Sequence, residues 1–243
     1  MRARRGWKRS AGALAAFLVA TGAHGAHPLN TEDTGTQGKG RWQLELNGEM
    51  NRDQGVRGAQ AAAVLSYGVV ETVDLQAGLT WLDTGPQQGA GDSLAAVKWR
   101  FWEKDALSFA VRLGTTLPTG KDEKGLGTGR TTWNALLIGT YEGERWIFLA
   151  HLGHRRNRNN FGEREPLGEV SGAVLYKATE SLKLLVDAVR ISNPNPDSST
   201  PQRFVIAGFI WQPRKDVDLD AGLRWGNDPA TDHAVMAGIT LRW

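Results

Sequence analysis

The residues whose types suit chemistry are few and scattered. Gly125-Leu126-Gly127-Thr128-Gly129 has the glycine content of a phosphate loop, and Thr119-Gly120-Lys121 resembles the end of one. Such a loop works by aiming backbone N–H groups at phosphate from the start of a helix. No helical pattern follows either stretch. Asp122 stands where Ser or Thr must reach magnesium, and Thr115 replaces the first glycine, so both read as loop glycines. A hydrolase built on His151, His154 or His233 would need a serine within hydrogen-bond reach and an orienting Asn or Asp. No serine lies near His151 or His154 in sequence, and these histidines read as polar residues of an interior and its rim. Catalytic residues, metal ligands and cofactors are therefore all expected to be none. What remains is a set of charges of both signs: Glu45, Glu49, Asp74, Lys98, Arg100, Arg112, Asp187, Asp218, Asp220 and Arg224. Each falls on the polar face of an alternating segment, so its chemistry depends on what that face encloses.

The segments that carry them recur with a period of two. The first sets Trp42, Leu44, Leu46, Gly48 and Met50 against Arg41, Gln43, Glu45, Asn47 and Glu49. A second, near 59–69, turns Ala61, Ala63, Leu65, Tyr67 and Val69 to the same side. Val73, Leu75, Ala77, Leu79 and Trp81 then oppose Asp74, Gln76, Gly78 and Thr80. Ala95, Val97, Trp99 and Phe101 oppose Lys98 and Arg100; Leu107, Phe109, Val111 and Leu113 oppose Ser108, Ala110, Arg112 and Gly114. Further segments fall near 132–141, 146–154, 168–177, 182–191, 203–211, 217–225 and 233–243. The seventh and tenth are apolar on both faces, which leaves their facing open.

About twelve strands of some ten residues, an even number, predict an all-β fold: an antiparallel transmembrane β-barrel with up-and-down meander order. Connections centred near 55, 88, 124, 160, 196 and 229 read as mostly long, and those near 71, 104, 143, 179 and 214 as only a few residues each. That alternation is expected of external loops and periplasmic turns. A soluble sandwich would use shorter strands, and the apolar face carries most of the tryptophans near segment ends, where an interfacial belt lies. The last strand ends in Trp243 and must close against the first, because a terminal strand is otherwise an open edge. Trp243 is accordingly the expected assembly signal, read by the barrel-assembly machinery.

Residues 1–25 read as a cleaved signal peptide. Arg2, Arg4, Arg5, Lys8 and Arg9 precede an apolar core too short to span as a helix, and Ala23-His24-Gly25 suits cleavage. Residues 26–40 are then expected as a periplasmic N-terminal segment, and 41–243 as the barrel. The chain has 29 basic and 26 acidic residues. Removing the five basic residues of the leader leaves 24 against 26, a balance of −2, and no basic block that would suit nucleic acid. With no cysteine, disulfides, thiolate metal sites and thiol nucleophiles are excluded. After the leader no apolar run approaches the roughly 20 residues of a helical span.

Asp33-Thr34-Gly35-Thr36-Gln37-Gly38-Lys39-Gly40 leading into Gln43-Leu44-Glu45, and Leu117-Pro118-Thr119-Gly120 followed by Gly125 to Gly129, resemble the outer-membrane family named for the MetA-pathway of phenol degradation. The resemblance spans about 28–243. It implies a barrel of transporter or channel type, associated by name with aromatic compounds, and carries no catalytic residue. The expectation is thus a bacterial outer-membrane channel for small solutes, aromatic or hydrophobic compounds among them. Its expected partners are that solute, outer-membrane lipids and glycolipid. The basic loop His154 to Asn160 could pair with glycolipid phosphates or stand as a solvated loop, and the solvated reading is slightly favoured. Two other classes compete: an outer-membrane lipid hydrolase, and a closed barrel with a structural or surface-binding role. Mixed charge on an enclosed face means either a selective path or a plug.

Overall fold

The computed structural model describes residues 27–53, 56–227 and 233–243. The predicted signal peptide lies outside them. The elements are β1 Trp42–Asp53, β2 Val56–Val70, β3 Val73–Asp83, β4 Gln88–Ala90, β5 Ser93–Lys104 and β6 Leu107–Leu117. They continue with β7 Thr132–Glu142, β8 Trp146–Arg156, β9 Pro166–Lys177, β10 Leu182–Ile191, β11 Gln202–Arg214, β12 Val217–Gly226 and β13 His233–Arg242. Among the described residues the one helical element is a 3-10 turn, Asp122–Lys124.

Twelve long strands form a ring in which each pairs antiparallel with its sequence neighbours, and β1 pairs with both β2 and β13. The seam closes in register from Gln43 opposite Arg242 to Arg52 opposite His233. Trp42 and Trp243 exchange both backbone hydrogen bonds, at 2.9 and 3.1 Å, which completes it. Closure removes the edge that the last strand would otherwise expose. The three residues of β4 pair with β3 on the same edge as β5, continuing that wall after a one-residue shift of register. They are too short to show a period in the sequence.

Exposure alternates along the strands as the sequence predicts. The outer face carries Met50, Leu79, Trp99, Leu113, Leu152, Val186 and Val235, and it ends in aromatics such as Trp81, Trp133, Trp146 and Trp243. The two segments left open are now oriented. In β8, Trp146, Phe148, Ala150 and Leu152 face out while Ile147, Leu149 and His151 face in. In β11, Val205, Phe209 and Trp211 face out while Phe204, Ile206 and Ile210 face in. Their inner faces are apolar because half of the lumen wall is apolar. Ile147, Leu149, Leu175, Leu185, Val189, Phe204, Ile206, Ile210 and Met236 form one cluster there. In β5 a register irregularity between Arg100 and Trp102 sends both Phe101 and Trp102 outward.

One connection differs from expectation. The link near 55 is not long, since β1 and β2 continue as a ladder to Asp53 opposite Val56. At the same end, the 118–131 loop is folded onto the barrel mouth. Asp92 accepts from the backbone N–H groups of Gly120 and Thr128 and from the Thr128 hydroxyl, at 2.8–3.0 Å. A Cβ at Gly127 would stand 2.3 Å from the Asp92 carboxylate, so this glycine-rich stretch is a close-packing device. The Asn160 amide donates to Asp122 at 2.6 Å and holds that loop carboxyl below its ordinary range, tying two neighbouring loops together.

A candidate functional site in the barrel lumen

Residues 27–37 lie inside the ring of strands. The stretch expected as a periplasmic N-terminal segment over 26–40 enters beside β1 at the short-turn end, and His27, the first described residue, lies beside Asp220 about halfway along the lumen. Gly38 touches Gly68 so closely that a Cβ on Gly68 would sit 1.8 Å from the Gly38 carbonyl oxygen. From there Gln37 donates its N–H to Asp74 at 3.1 Å, and Thr34 reaches Ser108 and Thr140. Mid-lumen, the segment crosses from the polar wall to the apolar one.

Glu32, fully buried, faces the polar wall. Its carboxylate accepts from Lys98 Nζ at 3.1 Å and lies 3.4 Å from Arg112 Nε. Asp33 adds a second carboxylate to Lys98 at 3.3 Å. Arg112 Nε also donates to Gln76 at 2.7 Å, while its two terminal nitrogens make no protein hydrogen bond. Asp187 accepts from the N–H groups of Asn30 and Thr31 at 2.7 and 2.8 Å and from the Thr31 hydroxyl at 2.6 Å. Leu29 seats in the apolar cluster. His27 contacts Asp220 across the lumen. Space for this end comes from the wall: a Cβ on Gly222 would meet Pro28 at 2.8 Å, and one on Gly238 would meet His27 at 2.7 Å.

All ten charges singled out in the sequence face the lumen, but they do not form two opposed open strips. Lys98, Arg112, Asp74, Asp187 and Asp220 hold the N-terminal segment. Glu49 and Arg224 make a bidentate pair at 2.6 and 2.9 Å, with the guanidinium 5.4 Å from the Phe204 ring centre. Asp218 accepts from Arg242 at 2.6 Å and from Gln212 at 2.8 Å near the seam. Arg100 turns to Glu103 at 3.1 Å. Glu45, buried, accepts from Gln43 at 2.7 Å through one oxygen and leaves the other without a partner. On the loop side of the segment a cavity opens between Asn47, Glu49 and Arg224 on one hand and Phe204, Ile206 and Met236 on the other.

Asn30, Thr31, Glu32 and His27 are lumen residues whose placement the sequence did not reveal. The available signal was the acidic Glu32-Asp33 pair just ahead of a barrel with Lys98 and Arg112 inside, together with glycines on lumen-facing positions of β12 and β13. His151 is lumen-facing and buried, whereas His154 faces outward. His151 Nδ1 accepts from the Glu32 N–H at 3.1 Å and Nε2 lies 3.1 Å from Glu169, which assigns the proton to Nε2. With both nitrogens engaged, neither is free to take a proton from Ser171 on the neighbouring strand.

The family whose sequence pattern fits the chain is described as "Putative MetA-pathway of phenol degradation", and it matches residues 26–243. The chain belongs to this family. A search of curated protein sequences finds no match. Among solved structures, the COG4313 outer membrane channel from Pseudomonas putida F1 is similar at 11% identity and a TM-score of 0.69, over 87% of this chain and 98% of that one. The KdgM porin is similar at 6% identity and a TM-score of 0.61, over 82% and 98%. The NanC porin is similar at 10% identity and a TM-score of 0.60, over the same shares. At these identities the likeness is one of fold: a closed porin-type barrel.

Proposed function

We propose that this family member is a bacterial outer-membrane channel, without enzymatic activity, that passes small solutes and is held narrow by its own residues 27–37. The observation that carries the reading is the two-sided lumen. An apolar wall from β8 to β11 faces a polar wall with Lys98 and Arg112, and one segment spans both through Leu29 and Glu32. A solute able to replace that segment has the same two sides: an apolar or aromatic body and an acidic or hydroxyl group. The Arg112 terminal nitrogens, which make no protein hydrogen bond, suit the second part. The likeness to porin folds and the family's named association with phenol degradation support this reading.

Single-channel recording tests it. Wild-type protein in a planar bilayer is expected to conduct weakly. A variant whose mature chain lacks residues 27–33 should conduct several-fold more, because the residues that meet Lys98, Arg112, Asp187 and Asp220 are gone. Neutralising Lys98→Gln together with Arg100→Gln should shift selectivity toward cations, since fixed lumen charge sets the local counter-ion excess. Absence of channel events in both wild type and the trimmed variant would put the closed-barrel alternative in its place.

A further inference from the structure

Two arginines face outward where an apolar wall is expected. Arg190 near the end of β10 and Arg203 at the start of β11 are direct cross-strand partners, both exposed, both at the long-loop end. Their neighbours on that face are Val170, Ala188, Val205 and Trp225. Directly opposed like charges destabilise a strand pair, and charged side chains on the outer face of a barrel carry a cost of their own. Among the described residues, neither guanidinium has an acidic partner. By contrast, Arg156, in the basic stretch His154 to Asn160, already pairs with Glu165 at 3.7 Å, and Asn157 and Asn159 are bonded to Glu163.

The outer surface between these arginines is also indented. Gly172 and Ala188 put small residues at the floor of a groove whose sides are Val170, Val205 and Trp225. Such a groove takes a hydrocarbon chain, and the two guanidinium groups at its head take an anion with several acceptor oxygens. A phosphate bridged by two arginines turns the repulsion into paired charge-assisted hydrogen bonds.

We infer that Arg190 and Arg203, with the groove below them, form a binding site for the phosphorylated glycolipid of the outer leaflet. This rests on the proposed placement in an outer membrane with the long loops outside, because that leaflet supplies phosphorylated glycolipid. The phosphate would lie between the two guanidinium groups and an acyl chain along Gly172 and Ala188.

The full chain is expressed with its leader, extracted in mild detergent, and its retained lipid is measured by native mass spectrometry. Wild type should keep glycolipid. Arg190→Ala/Arg203→Ala should lose about tenfold or more of it, as expected for two lost contacts to a charged group. Arg145→Ala/Arg214→Ala, which removes two charges from the short-turn end, should keep it. Arg203→Glu should fold at least as well, because it creates an ion pair with Arg190, and still lose the lipid. Added glycolipid should raise the thermal transition of wild type, whereas its dephosphorylated form and inorganic phosphate should not. Equal retention by wild type and the double alanine variant would overturn the site, as would retention of phospholipid alone. Ser199→Cys, in a chain with no other cysteine, reports orientation through an impermeant thiol reagent on intact cells. Labelling without glycolipid retention overturns the site alone. Protection from labelling overturns the orientation and the site with it, and conductance in glycolipid-free bilayers reads the channel proposal separately.

Discussion

Val111 and Arg112 are neighbours in β6 that do opposite jobs, one turned to the outer face and one fully buried inside. An arginine at Val111 near mid-span should cost roughly 2–4 kcal/mol of barrel stability. The measurement is urea-driven unfolding in lipid vesicles. Arg112→Ala should leave assembly intact and change ion selectivity. The reverse outcome would mean that every side chain of that strand faces the other way. A second test concerns Glu32, whose charge joins the segment to Lys98 and Arg112. Glu32→Gln should weaken this seat by about 2 kcal/mol, the scale of a hydrogen bond to a charged group. That is a roughly thirtyfold change in the ratio of closed to open forms. Open-state dwell should lengthen in recordings, and unchanged gating would show that Glu32 does not hold the path closed. The lumen facing of Lys98, Arg112 and Asp187 was legible in the sequence because a period of two settles it. Their partners were not, since Glu32 reaches Lys98 across 66 positions of chain with no periodic signal.

At the scale of elements, glycines divide into those that admit the N-terminal segment and those that admit the wall itself. Gly208 and Gly222 are direct partners in β11 and β12. A Cβ on Gly208 would stand 2.3 Å from the Ala221 carbonyl oxygen, a wall backbone atom, whereas one on Gly222 would meet the Pro28 ring of the segment at 2.8 Å. Gly222→Val should therefore assemble normally and displace the segment, with increased conductance. Gly208→Val should reduce the yield of folded barrel, because the ladder must shift. Equal assembly defects in both would show that the segment is as rigid as the wall. Strand positions and facings were readable because each strand repeats one pattern. The segment was unreadable for the opposite reason: Leu29, Glu32 and Gln37 have no shared spacing, and what they contact is defined only once the ring exists. β8 and β11 were ambiguous because both of their faces are apolar, one against the outer band and one against Leu29 and its cluster.

For the molecule as a whole, the even strand count and most of the long and short connections were legible, because a meander leaves its rhythm in the chain. Cooperative closure follows from the last contact made. Trp243 exchanges two backbone hydrogen bonds with Trp42 and turns its ring outward, 62% exposed, into the aromatic belt. Deleting Trp243, or replacing it with Asp, should lower the amount of assembled barrel without affecting export; normal levels of assembled Asp variant would refute the role. Once closed, the ring leaves no strand edge among its twelve members, and every wall strand is bonded on both sides. Unfolding must then break two ladders at once in an apolar surrounding, where unpaired backbone groups cost several kcal/mol each. Folded protein in mild detergent should resist denaturation at room temperature and migrate on a gel at a different position from the boiled sample. The trimmed variant lacking residues 27–33 should retain that shift, because the segment contributes to the lumen and not to the ladder. If trimming abolishes the shift, the segment is part of what keeps the ring closed, and displacing it cannot be how the channel opens.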